Sequence, residues 1–141
     1  AVDLGALVEE LVEIFEFVVE DAGKTLIHSI AAPTMVQGDR QMIIQALANM
    51  IQNALVHGGD RVELFTNGTE IGVADNGPGV DPADYDEILK PMVRLEASRT
   101  TEGSGLGLAL VRAVADRHAA KLGLAPNTPS GLRISLNFAK M

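Results

Sequence analysis

The chain has no cysteine among its 141 residues, which excludes disulfides, zinc thiolates and thiol catalysis, and fits a reducing compartment. Positive charge is also scarce: 11 Lys and Arg stand against 19 Asp and Glu, for a net charge of −8 and a pI near 4.7. A nucleic-acid-binding surface is therefore not expected, because phosphate neutralisation needs clustered Lys and Arg. A nucleotide stays open, since a metal ion and backbone N–H groups can meet its charge. No apolar run approaches the roughly 20 residues that span a bilayer, and no signal-peptide pattern opens the chain. Internal repeats, low-complexity tracts and Pro/Gly linkers are absent as well. What the chain does have is 47% hydrophobic residues and a mean hydropathy of +0.18, enough for one well-buried core and too much for disorder. The expectation is a single acidic, soluble domain over residues 1–141, and Ala1 in place of an initiator Met suggests a piece of something longer.

Periodicity supplies the elements. Residues 3 to 20 read as a helix capped by Asp3, with Leu4, Leu7, Val8, Leu11, Ile14, Phe15 and Val18 at helical spacing and Ala22-Gly23 ending it. Leu26, His28 and Ile30 alternate as a strand, and Met35-Val36 reads as another short one. Asp39 caps a long helix to His57, which Gly58-Gly59 stops. Arg61 to Thr66 and Glu70 to Ala74 form a predicted hairpin around Asn67-Gly68. The sequon Asn67-Gly68-Thr69 is better read as that turn than as a glycosylation site. Residues 75 to 105 are loop-rich, with a short helix near Pro82 to Leu89. Ser104 to His118 is a predicted helix, and Lys121 to Ala125 and Leu132 to Phe138 are the final strands. This order cannot be linked wholly by parallel crossovers, so a mixed, largely antiparallel sheet with helices on one face is expected.

Three constellations carry chemistry. On the long helix Gln45, Asn49, Asn53 and His57 fall four apart in a polar column beside an apolar stripe. Asparagine is a mediocre helix former, so the column is either a solvated face or a row of carboxamide oxygens for a hard cation such as magnesium. Next, Asp75-Asn76-Gly77-Pro78-Gly79-Val80 follows a strand. It is either a plain turn or a carboxylate acceptor for an amino group, beside glycines that allow close approach of a flat ligand. Third, Gly103-Ser104-Gly105-Leu106-Gly107-Leu108 opens into a helix, where free N–H groups and the helix dipole suit phosphate. A dinucleotide fingerprint fails because Leu108 stands where glycine is needed. Gly23-Lys24-Thr25 imitates the end of a P-loop, but Val18 replaces the required first glycine and the helix precedes the triplet.

In this order the three segments resemble the nucleotide-binding boxes of the ATPase/kinase superfamily that includes sensor histidine kinases, gyrase B, Hsp90 and the mismatch-repair ATPases. The likeness is greatest to the catalytic domain of histidine kinases. Asn49 to Ala54 resembles the asparagine box, Asp75 to Gly79 the first glycine box and Gly103 to Leu108 the second. The resemblance implies an α+β fold, the two-layer Bergerat-type ATP-binding sandwich with about three helices on one face of the sheet. It implies ATP and Mg²⁺ as cofactors. Asn53 would coordinate Mg²⁺, and Asp75 would accept from the adenine amino group. Gly77, Gly79 and Val80 would shape the adenine pocket, with Asn49, His57, Thr101, Ser104, Leu106, Leu108 and the glycines 103, 105 and 107 also contacting nucleotide. Residues 95–102 would form a lid, and Arg94 and Arg99 would meet the developing charge. Hydrolytic members carry a glutamate general base where this chain has Asn49, and an amide cannot take that proton. Asn49 therefore favours phosphotransfer.

The departures from the family pattern are Leu89 and Met92 in place of two phenylalanines, Val56 in place of a lysine, and Leu132 in place of a small hydroxyl residue. They predict weakened phosphate contacts or slow turnover. None of His28, His57 and His118 has the context of a phosphoacceptor. The resemblance thus implies partners: a dimerisation domain of the same protein that carries the histidine, and a downstream response regulator. It further implies a cytoplasmic domain without direct membrane contact, a parent that is homodimeric and either soluble or anchored in the inner membrane, and a monomer when isolated. The alternatives are a stand-alone serine kinase of the anti-sigma type and a pseudokinase-like docking module.

Overall fold

The computed structural model describes residues 1–32, 34–90 and 108–139. The main sheet has five strands in the order β2 (Thr25–Ala31), β4 (Arg61–Asn67), β5 (Glu70–Asp75), β7 (Leu132–Asn137) and β6 (Lys121–Pro126). Only the β2–β4 pair is parallel, and the other three pairs are antiparallel. This is the mixed sheet expected from the element order. A small ladder, not foreseen, pairs β1 (Val2–Asp3) with β3 (Met35–Val36). No helix among the described residues is long and apolar enough to cross a membrane.

Helices α1 (Leu4–Asp21), α2 (Arg40–His57) and α4 (Leu108–Arg117) pack on the sheet: α1 against β2 and β4, α2 against β5, and α4 against α2 and β6. The caps foreseen for the first two helices are made. Asp3 Oδ1 accepts from Ala6 N and Asp39 Oδ1 from Met42 N, each satisfying an otherwise orphaned donor of the first turn. The core joins Leu7, Val8 and Leu11 of α1, Leu47 and Met50 of α2 and Val111 of α4 to Leu64, Val73 and Ile134 of the sheet. In α1 the buried stripe runs through Leu11 to Val19, leaving Ile14 and Val18 exposed. The sequence pattern placed both inside because nearly every residue of that segment's second half is apolar or acidic, so either of two faces satisfied the period.

Two turns owe their form to glycine. At the end of α1, Gly23 (φ +79°) donates to Glu20 O while Lys24 N donates to Val19 O, the paired bonds of a Schellman cap. In the β4–β5 hairpin the two-residue loop is Gly68-Thr69, one position beyond the Asn67-Gly68 expected, because Asn67 pairs with Glu70 in the ladder. Gly68 takes φ +63° at the first central position, as a type II′ turn requires. The short helix near Pro82 is present as a 3₁₀ turn (Pro82–Asp84) running into α3 (Tyr85–Ile88).

His118 is structural. Its Nε2 accepts from Asp39 N at 2.9 Å, so Nδ1 carries the proton and donates to Val114 O at 2.8 Å. The ring also meets Phe138 edge-on at 5.8 Å. It ties the end of α4 to the start of α2. His118→Ala is expected to cost about 1–2 kcal/mol, from one lost hydrogen bond to a backbone donor and one aromatic contact. A urea midpoint equal to wild type would contradict this.

A cleft built on Asn53 and Asp75

One cleft brings together residues from four separate segments of the chain. It is lined by Asn53 and His57 of α2, Asp75, Pro78, Gly79 and Val80 at and beyond the end of β5, Ile88 of α3, and Leu132 of β7. At about 180 Å³ it is smaller than the roughly 300–1,000 Å³ of most small-molecule sites. It suits the flat, apolar end of a ligand rather than the whole of one.

The polar column of α2 divides in the folded state. Gln45 is exposed, Asn49 is half-buried, Asn53 is buried and His57 is exposed, at the rim of the cleft. Asn53 Oδ1 is sealed from water and has no hydrogen-bond partner among the described residues. A buried carbonyl oxygen left unmatched costs about 1–3 kcal/mol, so Asn53 holds an acceptor that nothing among the described residues fills. A hard cation fits that donor. Among the described residues no cluster of three or more His, Cys, Asp or Glu stands ready to cage a metal. Such a cation would rest on Asn53 and on oxygens carried in by the ligand, the usual habit of magnesium.

Asp75 is 7% exposed, and among the described residues its carboxylate is gripped through one oxygen. Its Oδ1 accepts from Gly77 N at 2.9 Å and Leu132 N at 3.3 Å, while its main-chain oxygen accepts from Asn127 Nδ2 at 2.8 Å. The carboxylate edge not bound to these amides remains as an acceptor on the cleft. Glycine backbones close around it. A Cβ on Gly131 would lie 1.9 Å from Asp75 O, one on Gly58 would lie 2.8 Å from Asp75 Cβ, and one on Gly77 would lie 2.6 Å from the Gly58 carbonyl carbon.

Gly58 ends α2 as expected, in an extended conformation (φ −87°, ψ −173°). Glycine is required there because the loop runs against Asp75. Gly77 likewise packs on Gly58-Gly59 rather than lining the cleft, whereas Gly79 (φ +77°) does line it. Leu108 is fully buried in the core at the head of α4, so its side chain faces the hydrophobic interior. Arg94, Arg99, Thr101, Ser104, Leu106, the glycines at 103, 105 and 107, and the lid at 95–102 lie outside the described residues. Pro78 falls within the Asp75–Gly79 segment, whereas Ile88 and Leu132 are walls that the sequence analysis does not place in the site. Leu132 figures there only as a departure from the family pattern, and its N–H bond to Asp75 depends on backbone alone.

The family model for histidine kinase-, DNA gyrase B- and HSP90-like ATPases matches residues 38–140. The sensor histidine kinase CpxA of Escherichia coli K12 is 31% identical over 132 residues, covering 89% of this chain and 29% of that protein. The chain therefore spans less than a third of the length of that relative. In structure, the ATP-binding domain of PrrB from Mycobacterium tuberculosis superposes with a TM-score of 0.79 at 24% identity, covering 99% of this chain and 96% of that one. Full-length ShkA in complex with AMPPNP gives 0.79 at 22% identity, covering 99% and 31%. The cleft thus sits in a fold shared with the ATP-binding domain of PrrB, and with the family match over residues 38–140 the chain belongs to the histidine kinase-, DNA gyrase B- and HSP90-like ATPase family.

Proposed function

We propose that this chain is the catalytic, ATP-binding domain of a sensor histidine kinase, transferring the γ-phosphoryl group of ATP to a histidine on a dimerisation domain. The observation that carries the reading is that two buried acceptors line one cleft with largely apolar walls: Asn53, whose Oδ1 has no partner among the described residues, and the Asp75 carboxylate, held by two backbone amides. Asp75 accepts from the adenine amino group, and Val80, Ile88 and Leu132 sandwich the flat base. Asn53 holds Mg²⁺, which when bound supplies charge neutralisation at the phosphates. That donor set lets a domain of net charge −8 accept a polyanion.

Asn49, one helical turn before Asn53, occupies the position where hydrolytic relatives of the family carry a base. With an amide there, water is not activated and the phosphoryl group passes to the acceptor histidine. His57 at the rim reaches towards ribose or phosphate. Arg94, Arg99, Thr101, Ser104, Leu106 and the glycines 103 to 107 belong to the phosphate side of the same proposal. So do the cytoplasmic location of the domain, the dimerisation domain of the parent protein and a response regulator downstream.

The test is calorimetric titration of ATP with and without Mg²⁺, followed by incubation with a supplied phosphoacceptor hairpin. Wild type is expected to bind ATP more tightly with the metal. Asn53→Ala is expected to erase most of that metal dependence, about a tenfold or greater loss. Phosphohistidine should then form on the hairpin. No binding at millimolar ATP, or phosphoserine on a partner instead, would sink the reading.

A further inference from the structure

Lys24 lies outside the cleft, in the triplet Gly23-Lys24-Thr25 that imitates a P-loop without being one. The Schellman cap of α1 fixes where its backbone emerges, and its side chain turns onto the loop after α2. Lys24 Nζ donates to Gly59 O at 2.6 Å and to Gly58 O at 3.3 Å. The next residue continues the pattern, as Thr25 N donates to Asp60 O at 2.9 Å. Three consecutive carbonyls, of residues 58, 59 and 60, are thus held by two consecutive residues, Lys24 and Thr25, far upstream in the chain.

The same loop is bonded on its other side to the segment that carries Asp75. Asn76 Nδ2 donates to Asp60 Oδ1 at 2.8 Å, and Asn76 Oδ1 accepts from Arg61 N at 3.0 Å. The Asn76 amide holds the Asp60 carboxyl below its ordinary value, with Arg61 and Lys24 adding smaller attractions. That contribution is complete above the ordinary carboxylate pKa and is lost as the pH falls through the lowered one. Gly58 and Gly59 press directly on Asp75, Asn76 and Gly77, leaving no room for a Cβ at any of the three glycines. The loop is therefore a spacer clamped between Lys24 and the carboxylate that faces the cleft.

We infer that Lys24 is a positioning residue for the nucleotide site: by fixing the Gly58 and Gly59 carbonyls it sets where the Asp75 carboxylate stands, and so how well the site reads the amino group of the base. The inference rests on the proposed role of Asp75. Lysine suits the task because one compact ammonium carries several donors and can serve two neighbouring carbonyls at once. Its charge also complements the negative end of α2, which terminates at these residues. A fixed acceptor discriminates more sharply than a mobile one, because no ordering is left to be done on binding.

The experiment compares ATP with purine riboside triphosphate, the analogue lacking the 6-amino group, in wild type, Lys24→Met and Lys24→Arg. In wild type ATP is expected to bind roughly tenfold tighter than the analogue. In Lys24→Met that preference should collapse to about twofold, with affinity for the analogue little changed, and Lys24→Arg should restore most of it. Amide exchange without ligand gives a second measure. In Lys24→Met the Gly77 amide, which bonds Asp75, should exchange about tenfold faster, while Leu136 in the core keeps its wild-type rate. If Lys24→Met does not fold, Lys24→Gln carries the same comparisons. Parallel loss of affinity for both nucleotides, or an unchanged preference with unchanged Gly77 exchange, overturns the role of Lys24. Failure of wild type to bind ATP overturns the nucleotide reading itself, and the Gly77 exchange rates then still decide whether Lys24 sets the position of Asp75.

Discussion

Asp75→Asn is expected to lower ATP affinity by about 100-fold or more, a loss near 3 kcal/mol. The carboxylate offers acceptors on both edges: one is occupied by the amides of Gly77 and Leu132, the other faces the cleft. An asparagine cannot do both. If its oxygen stays with the two amides, its NH₂ group is turned on the base and opposes another amino group. If it flips, its NH₂ group faces two buried N–H donors. Either way a buried donor is left unmatched, at about 1–3 kcal/mol, and a charge-assisted hydrogen bond is lost as well. Titration calorimetry reads the effect, and circular dichroism checks that the variant is folded. Near-wild-type affinity would mean that the base amino group does not meet Asp75.

The second large effect is expected from a single added methyl group. Gly131→Ala places a Cβ where the Asp75 carbonyl oxygen already lies, 1.9 Å away, at a backbone φ of +111° that L residues rarely adopt. The turn cannot simply move aside. Gly131 O accepts from Asn127 N at 2.9 Å, Asn127 Nδ2 donates to Asp75 O, and Leu132 N is bonded to Asp75 Oδ1. Displacing residue 131 therefore breaks the cradle of the carboxylate along with its own geometry. Loss of about 3 kcal/mol or more of folding stability is expected from overpacking and backbone strain together, with ATP binding lost in the same variant. An unchanged urea midpoint would show that the β6–β7 turn is not packed on Asp75.

The value of glycine in this molecule illustrates what a sequence discloses and what it withholds. Gly68 and Gly23 mark turns, and their neighbours announce it. Gly58, Gly59, Gly77 and Gly131 look like turn glycines too, yet each is close-packed: Gly58 and Gly131 on Asp75, Gly59 on Asn76, and Gly77 on Gly58-Gly59. Composition cannot separate these roles, because the first depends on a residue's own φ and the second on what passes within 3 Å of it from elsewhere in the chain. His118 is a similar case: its position at the end of a helix was legible, but not its bond to Asp39, 79 positions away. The walls supplied by Ile88 and Leu132 were illegible for the same reason, since each reads locally as an ordinary apolar residue.

The sequence by itself determined most of the elements, the two aspartate helix caps and the mixed sheet, which follow from periodicity and turn chemistry within short windows, and its resemblance to a known family named Asn53 and Asp75 as candidate acceptors. The tertiary structure decided which member of the asparagine column is buried with an unmatched oxygen, which edge of Asp75 faces the cleft, and that Lys24 holds the loop between them. Those outcomes turn on burial and on contacts between segments tens of residues apart, and no local propensity specifies which distant backbone will arrive to satisfy a polar atom or to leave it open.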